Sequence, residues 1–113
     1  MKKGNLNYHY IQNYNPPVSY GNISLLQIGT AYLQANTRVD VHSHVNFFEL
    51  TVVTSGKGLI STNNVAVPVE QGDIYVSFPY DRHMLDSDEE SPMNYNLWRF
   101  LLKAARLCRS LRR

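Results

Sequence analysis

From residue 23 to about 100 the hydrophobic and polar positions fall into short β-type runs, one of them with the period-two alternation that a strand with one buried face requires. Thr37-Arg-Val-Asp-Val41 alternates cleanly, and Ile23–Ile28 and Thr30–Ala35 are β-rich runs on either side of Gly29. Phe47–Thr54 is an aromatic and β-branched run ending at Ser55-Gly56-Lys57-Gly58, a turn signal. Leu59–Thr62 and Val65–Val67 flank Asn63-Asn64. Asparagine tolerates the positive φ that a two-residue turn demands, so this segment predicts a tight hairpin. Glu70-Gln-Gly-Asp73 is another turn, leading into Ile74–Phe78, which Pro79 stops. Met93–Phe100 predicts a final strand. Short strands at close spacing, punctuated by Gly and Asn, predict a mainly β barrel or sandwich.

The two ends depart from this pattern. Residues 1–22 are rich in Asn and Tyr and carry Pro16-Pro17, which reads as an irregular arm with one short strand at most. Over residues 97–113 the period changes: Leu101, Leu102, Ala104, Ala105, Cys108 and Leu111 recur three to four positions apart with bases between them. That spacing, in good helix formers, predicts a short C-terminal helix. The expected organisation is an arm over 1–22, a β domain over 23–100 and a basic helical tail over 101–113.

Composition narrows the class. With 113 residues, 43% of them hydrophobic and 18% charged, the chain suits one globular domain rather than a disordered segment. No apolar run reaches membrane-spanning length, and no signal-peptide core follows the N-terminus, so a cytoplasmic location without membrane contact is expected. The single cysteine, Cys108, excludes an internal disulfide. Charge is uneven: residues 1–98 hold nine acids and five bases, while residues 99–113 hold six bases and no acid. The basic end reads as a solvated helix face, with contact to an anionic partner as the alternative. The acid run Asp86-Ser-Asp-Glu-Glu90 reads as a solvated loop.

The candidate chemistry rests on four residues. His42 and His44, one residue apart, share a face if they lie on a strand. Glu49 follows five positions later, on a face with Thr51 and Val53. His83 comes after Pro79. Three imidazoles and a carboxylate are a competent ligand set for one Mn, Fe, Ni, Cu or Zn ion if they converge.

Those residues also carry a resemblance. His42-Ser-His44, four residues, Glu49, six residues and Gly56 resemble the first cupin motif, with Asn36 where a glycine is expected six residues before His42. Gly72-Asp-Ile-Tyr-Val-Ser-Phe-Pro79-Tyr-Asp-Arg-His83 resembles the second, with an extra residue before Pro79 and no glycine between Pro79 and His83. That form is similar to the N-terminal, arabinose-binding-like domain of AraC-type transcription regulators, as are Phe47-Phe-Glu-Leu50 and Asn94–Phe100. The resemblance implies a cupin-type barrel (a double-stranded β-helix or jelly roll) that binds an effector in its interior. It also implies a homodimer formed through helices after the barrel, and DNA contact only through a helix-turn-helix half that these 113 residues have no room for.

Two functions follow. The first is a sensor: His42, His44, Glu49, Thr51, Tyr75, His83 and Trp98 line a pocket for a sugar-like effector, hydrogen bonds orienting it and an aromatic face stacking on it. The second is a metal-dependent cupin enzyme, a dioxygenase, isomerase or epimerase, with His42, His44, Glu49 and His83 as ligands. A third reading, an interaction protein that uses the basic tail, rests on charge alone.

Overall fold

A computed structural model describes residues 2–41 and 46–103. In chain order the strands are β1 (Lys2–Lys3), β2 (Asn7–Tyr20), β3 (Ile23–Tyr32), β4 (Thr37–Val41), β5 (Phe48–Ser55), β6 (Lys57–Thr62), β7 (Val65–Glu70), β8 (Ile74–Ser77), β9 (His83–Ser87) and β10 (Asn94–Leu102). They form two sheets of five, ordered β1-β4-β9-β6-β7 and β2-β3-β10-β5-β8. Neighbours in the second sheet are antiparallel, as are all pairs in the first except β1 with β4.

The period-two pattern shows directly in burial. Val39, Ile60 and Leu85 from the first sheet meet Val53, Tyr95 and Leu97 from the second, each 7% exposed or less. Fully burying side chains of this kind contributes about 1.5–3 kcal/mol apiece, so this layer between the sheets dominates the stability. The chain crosses from the second sheet to the first between β5 and β6, at Gly56, whose φ is +74°. The Asn63-Asn64 turn has φ of 49° and 71°, as the hairpin reading requires. Asn36 has φ of 54°, so it fills the glycine-like position ahead of the first motif by adopting the left-handed conformation itself.

Three expectations change. Residues 7–20 are not an irregular arm but the edge strand β2, paired along β3 from Asn7↔Tyr32 to Tyr20↔Ile23. Pro16-Pro17 fall in the gap in register between Asn13 and Val18, and on an edge strand a missing N–H forfeits no inner ladder bond. At the other end, the extended chain runs on through Leu101 and Leu102, which pair with Ser24 and Ile23. Sheet pairing there overrides helical spacing. The rest of the expected helix, residues 104–113, lies outside the described residues. Finally, Asp86 and Ser87 belong to β9 rather than to a solvated loop, with Asp86 buried against Arg38 at 2.6 Å. Among the described residues, no helix is long and apolar enough to cross a membrane.

Candidate functional site

Register places the polar interior. Glu49 on β5 is opposite Arg99 on β10 and Ser77 on β8, and Arg99 is opposite Gln27 on β3. Strand alternation puts this row on the same face as the buried Thr51, Leu97 and Tyr95, pointing between the sheets. The next row inward, Leu97–Thr51–Tyr75, leads into the apolar core.

Arg99 ties the outer row together. Its Nε donates to Glu49 Oε2 at 3.5 Å, its Nη2 to the Tyr8 hydroxyl at 3.3 Å, and its Nη1 to Gln27 Oε1. Gln27 in turn donates to Asn13 Oδ1 on β2. The face of the Phe47 ring lies 5.6 Å from the guanidinium carbon. Burial alone would weaken the guanidinium's hold on its proton, but the Glu49 charge and the Tyr8 hydroxyl outweigh it and raise its pKa. Glu49 is 8% exposed, so its charge is compensated by a cation inside the protein rather than by bulk water.

The facing sheet contributes His83 and Thr62, which are in register with each other. His83 is 5% exposed and its Nδ1 is 3.4 Å from the Asp81 carbonyl. The Thr62 and Tyr75 hydroxyls hydrogen-bond across the gap between sheets. Val41, the last residue of β4, pairs with His83. His42 and His44 lie outside the described residues. Glu49, Thr51 and Tyr75 therefore share one inner wall, and His83 stands on the other.

Trp98 is not part of this interior. It sits between the inward Leu97 and Arg99, so it points outward, in a row with Ile28, Leu50 and Val76. Aromatic and apolar residues on both faces of Asn94–Phe100 leave the parity of this strand undecided in the sequence. The residues that sequence reasoning passes over are Arg99, Gln27 and Thr62. Arg99 reads as the first base of the tail, yet its spacing of two from Leu97 and four from Tyr95 was the available sign that it faces inward.

A concavity of about 730 Å³ lies away from this interior and is lined by Asn36, Lys57, Leu59, Asp86, Asp88 and Glu89, among others. Three of its acids are engaged, Asp86 by Arg38, Asp88 by the Glu90 and Ser91 N–H groups and Asp73 by the Glu70 N–H. Among the described residues, no three His, Cys, Asp or Glu side chains come together as a metal-binding group.

Tyr95 adds a testable electrostatic feature. Burial, with smaller help from Glu49 and Tyr8, raises its phenol pKa well above the ordinary value of 10.0, against a small opposing pull from Arg99. In the unfolded chain the phenol ionises near pH 10, while the folded state keeps its proton. This group's contribution is therefore intact below pH 10 and is lost as pH rises beyond it, by up to about 1.4 kcal/mol per pH unit. Urea unfolding between pH 9 and pH 11 should show a steeper alkaline decline in wild type than in Tyr95→Phe. Parallel slopes would mean that Tyr95 titrates normally.

No family profile and no curated protein matches the chain. Solved structures do. A cupin 2 conserved barrel domain protein from Salinispora arenicola is 19% identical, with a TM-score of 0.58 over 88% of this chain and 79% of that one. A predicted oxalate decarboxylase from Thermotoga maritima is 15% identical, with a TM-score of 0.54 over 71% and 79%. A sugar phosphate isomerase of the cupin superfamily from Silicibacter pomeroyi is 15% identical, with a TM-score of 0.57 over 69% and 59%. Two five-stranded sheets closed around one core, superposing on these proteins, establish that this chain has the cupin double-stranded β-helix fold.

Proposed function

We propose that this chain is a ligand-sensing module, an effector-binding domain of the AraC type that takes a sugar-like molecule between its sheets. One observation carries the reading: the Glu49 carboxylate is held by Arg99, which also reaches Gln27 and Tyr8. A carboxylate fixed in this way is a prepaid hydrogen-bonding wall for polyhydroxylated ligands, and it is poorly disposed to turn toward a metal ion. Thr51, Tyr75, Thr62 and His83 supply further polar groups on both walls. Ligand binding biases a two-state contact, such as a homodimer interface, by its differential affinity for the two states. Action on DNA then requires a DNA-binding unit joined to this domain.

The second reading is a metal-dependent cupin enzyme. It is favoured by His83, buried on the wall that faces the one bearing Glu49. His42, His44, His83 and Glu49 are chemically suited to Mn, Fe, Ni, Cu or Zn, but Glu49 would have to exchange its contact with Arg99 for the ion. Such an ion would supply Lewis-acid polarisation of a substrate oxygen.

Elemental analysis of untagged protein, paired with a monosaccharide thermal-shift screen, separates the two. The sensor reading expects little bound metal, with a saturating sugar at about 100 times Kd adding roughly 2.7 kcal/mol. His44→Ala then weakens sugar binding and changes no turnover. Near-stoichiometric metal that disappears in His44→Ala overturns it in favour of the enzyme.

A further inference from the structure

Among the described residues, one buried side-chain polar atom has no hydrogen-bond partner: the hydroxyl of Tyr95. Tyr95 is 1% exposed, on the inner face of β10 between Ala31 of β3 and Val53 of β5. An unmet hydroxyl inside a protein costs about 1–3 kcal/mol, and phenylalanine would fill nearly the same volume without that cost. Packing therefore accounts for the ring and leaves the oxygen unexplained.

The surroundings show what this oxygen lacks. Tyr8 and Tyr95 are both in register with Ala31, so the two phenols start from one row, Tyr95 buried and Tyr8 exposed on the edge strand. The Tyr8 oxygen accepts from Arg99 Nη2, which leaves the Tyr8 hydrogen to be donated. Arg99 has only donors, and Glu49 Oε2 already receives one of them. Glu49, Tyr8 and Arg99 all act electrostatically on the Tyr95 phenol, so the four groups share one neighbourhood. Acceptors stand in that neighbourhood, the Glu49 carboxylate and the Tyr8 and Gln27 oxygens. Among the described residues none of them receives the Tyr95 hydrogen.

We propose that Tyr95 is a ligand-contact residue of the interior site, donating its hydroxyl hydrogen to an oxygen of the bound molecule and, when no ligand is present, to a water. The ligand accordingly presents a hydroxyl or carboxylate oxygen to the Tyr8–Tyr95 side of the interior. This rests on the ligand-sensing reading above for the identity of the acceptor, but the need for an acceptor comes from Tyr95 itself.

The test compares wild type with Tyr95→Phe, using D-galactose and its acid, D-galacturonate, as probes. The expected result is about tenfold weaker binding by the variant of whichever probe wild type takes, as the loss of one buried hydrogen bond implies. Stabilisation of wild type by the acid alone identifies a carboxylate acceptor; stabilisation by both identifies a hydroxyl. Without ligand, Tyr95→Phe should melt several degrees below wild type, because the bond to water is lost. A variant that melts above wild type and binds the probes equally well overturns the proposal, since the hydroxyl would then be a plain orphan. If neither probe binds wild type, the sugar reading loses its support, and Tyr95 is judged separately. The ligand-free melting order and crystallographic density at its hydroxyl then decide: an ordered oxygen within hydrogen-bond reach sustains the proposal, and an empty position ends it.

Discussion

Gly56→Ala is expected to leave the protein largely unfolded at room temperature. A Cβ added at Gly56 would stand 1.9 Å from the Pro92 carbonyl oxygen and 2.5 Å from its carbon, and these are backbone atoms that cannot swing aside. The residue also has φ of +74°, a conformation that costs an L-residue roughly 1–2 kcal/mol even in open space. Relief would require separating the β5–β6 crossing from the segment before β10, where Lys57 N–H bonds to the Ser91 carbonyl at 3.0 Å and Gln71 N–H to the Gly56 carbonyl at 3.1 Å. We expect a loss of more than about 4 kcal/mol, against a total of about 5–15 kcal/mol for a domain. Gly21→Ala is the control, because Gly21 has φ of +58° but nothing within 4 Å of an added Cβ. It should lose only about 1 kcal/mol. Circular dichroism melts of the two variants decide the matter: similar, small shifts in both would show that the approach of Pro92 does not constrain Gly56.

Arg99→Met should produce the next largest loss. Methionine keeps much of the aliphatic stem but removes the donors to Glu49, Gln27 and Tyr8 at once. Glu49 is then left as a buried carboxylate without its cation. Breaking a fully buried pair costs about 3–5 kcal/mol, but the 3.5 Å contact is long and both side chains keep some access to water. We therefore expect about 2 kcal/mol, or roughly a 10 °C fall in Tm. Adding Glu49→Gln removes the stranded charge, so the double variant should recover part of that loss. A double variant less stable than Arg99→Met would show that Glu49 has another compensating partner. Equal stability of Arg99→Met and wild type would show that the ion pair contributes nothing, and would also weaken the argument that Glu49 is committed to a ligand-binding wall.

The β architecture was legible because alternation is a local property. Thr37–Val41 and Phe47–Thr54 carry it in their own residues, and Asn63-Asn64 and Gly56 announce their turns by the conformations they alone adopt cheaply. Edge and end effects were not legible. Residues 7–20 have no clean alternation, and their strand exists because β3 offers a partner along its length. Leu101 and Leu102 fit a helical spacing as well as a strand, and sheet pairing chose between them.

The interior divides along the same line. Sequence alone determined that Glu49 and Thr51 share a face and that His83 follows a proline-stopped strand, because strand period and turn chemistry are written in neighbouring residues; the cupin-type barrel was implied only by the resemblance of the two motif segments. Tertiary structure decided which residues meet across the sheets. It turned Trp98 outward and Arg99 inward by setting the parity of one strand, joined Thr62 to Tyr75 across the gap, and left the Tyr95 hydroxyl without a partner among the described residues. These outcomes depend on register between segments up to 91 positions apart, as for Tyr8 and Arg99, and no local pattern encodes a distance of that kind.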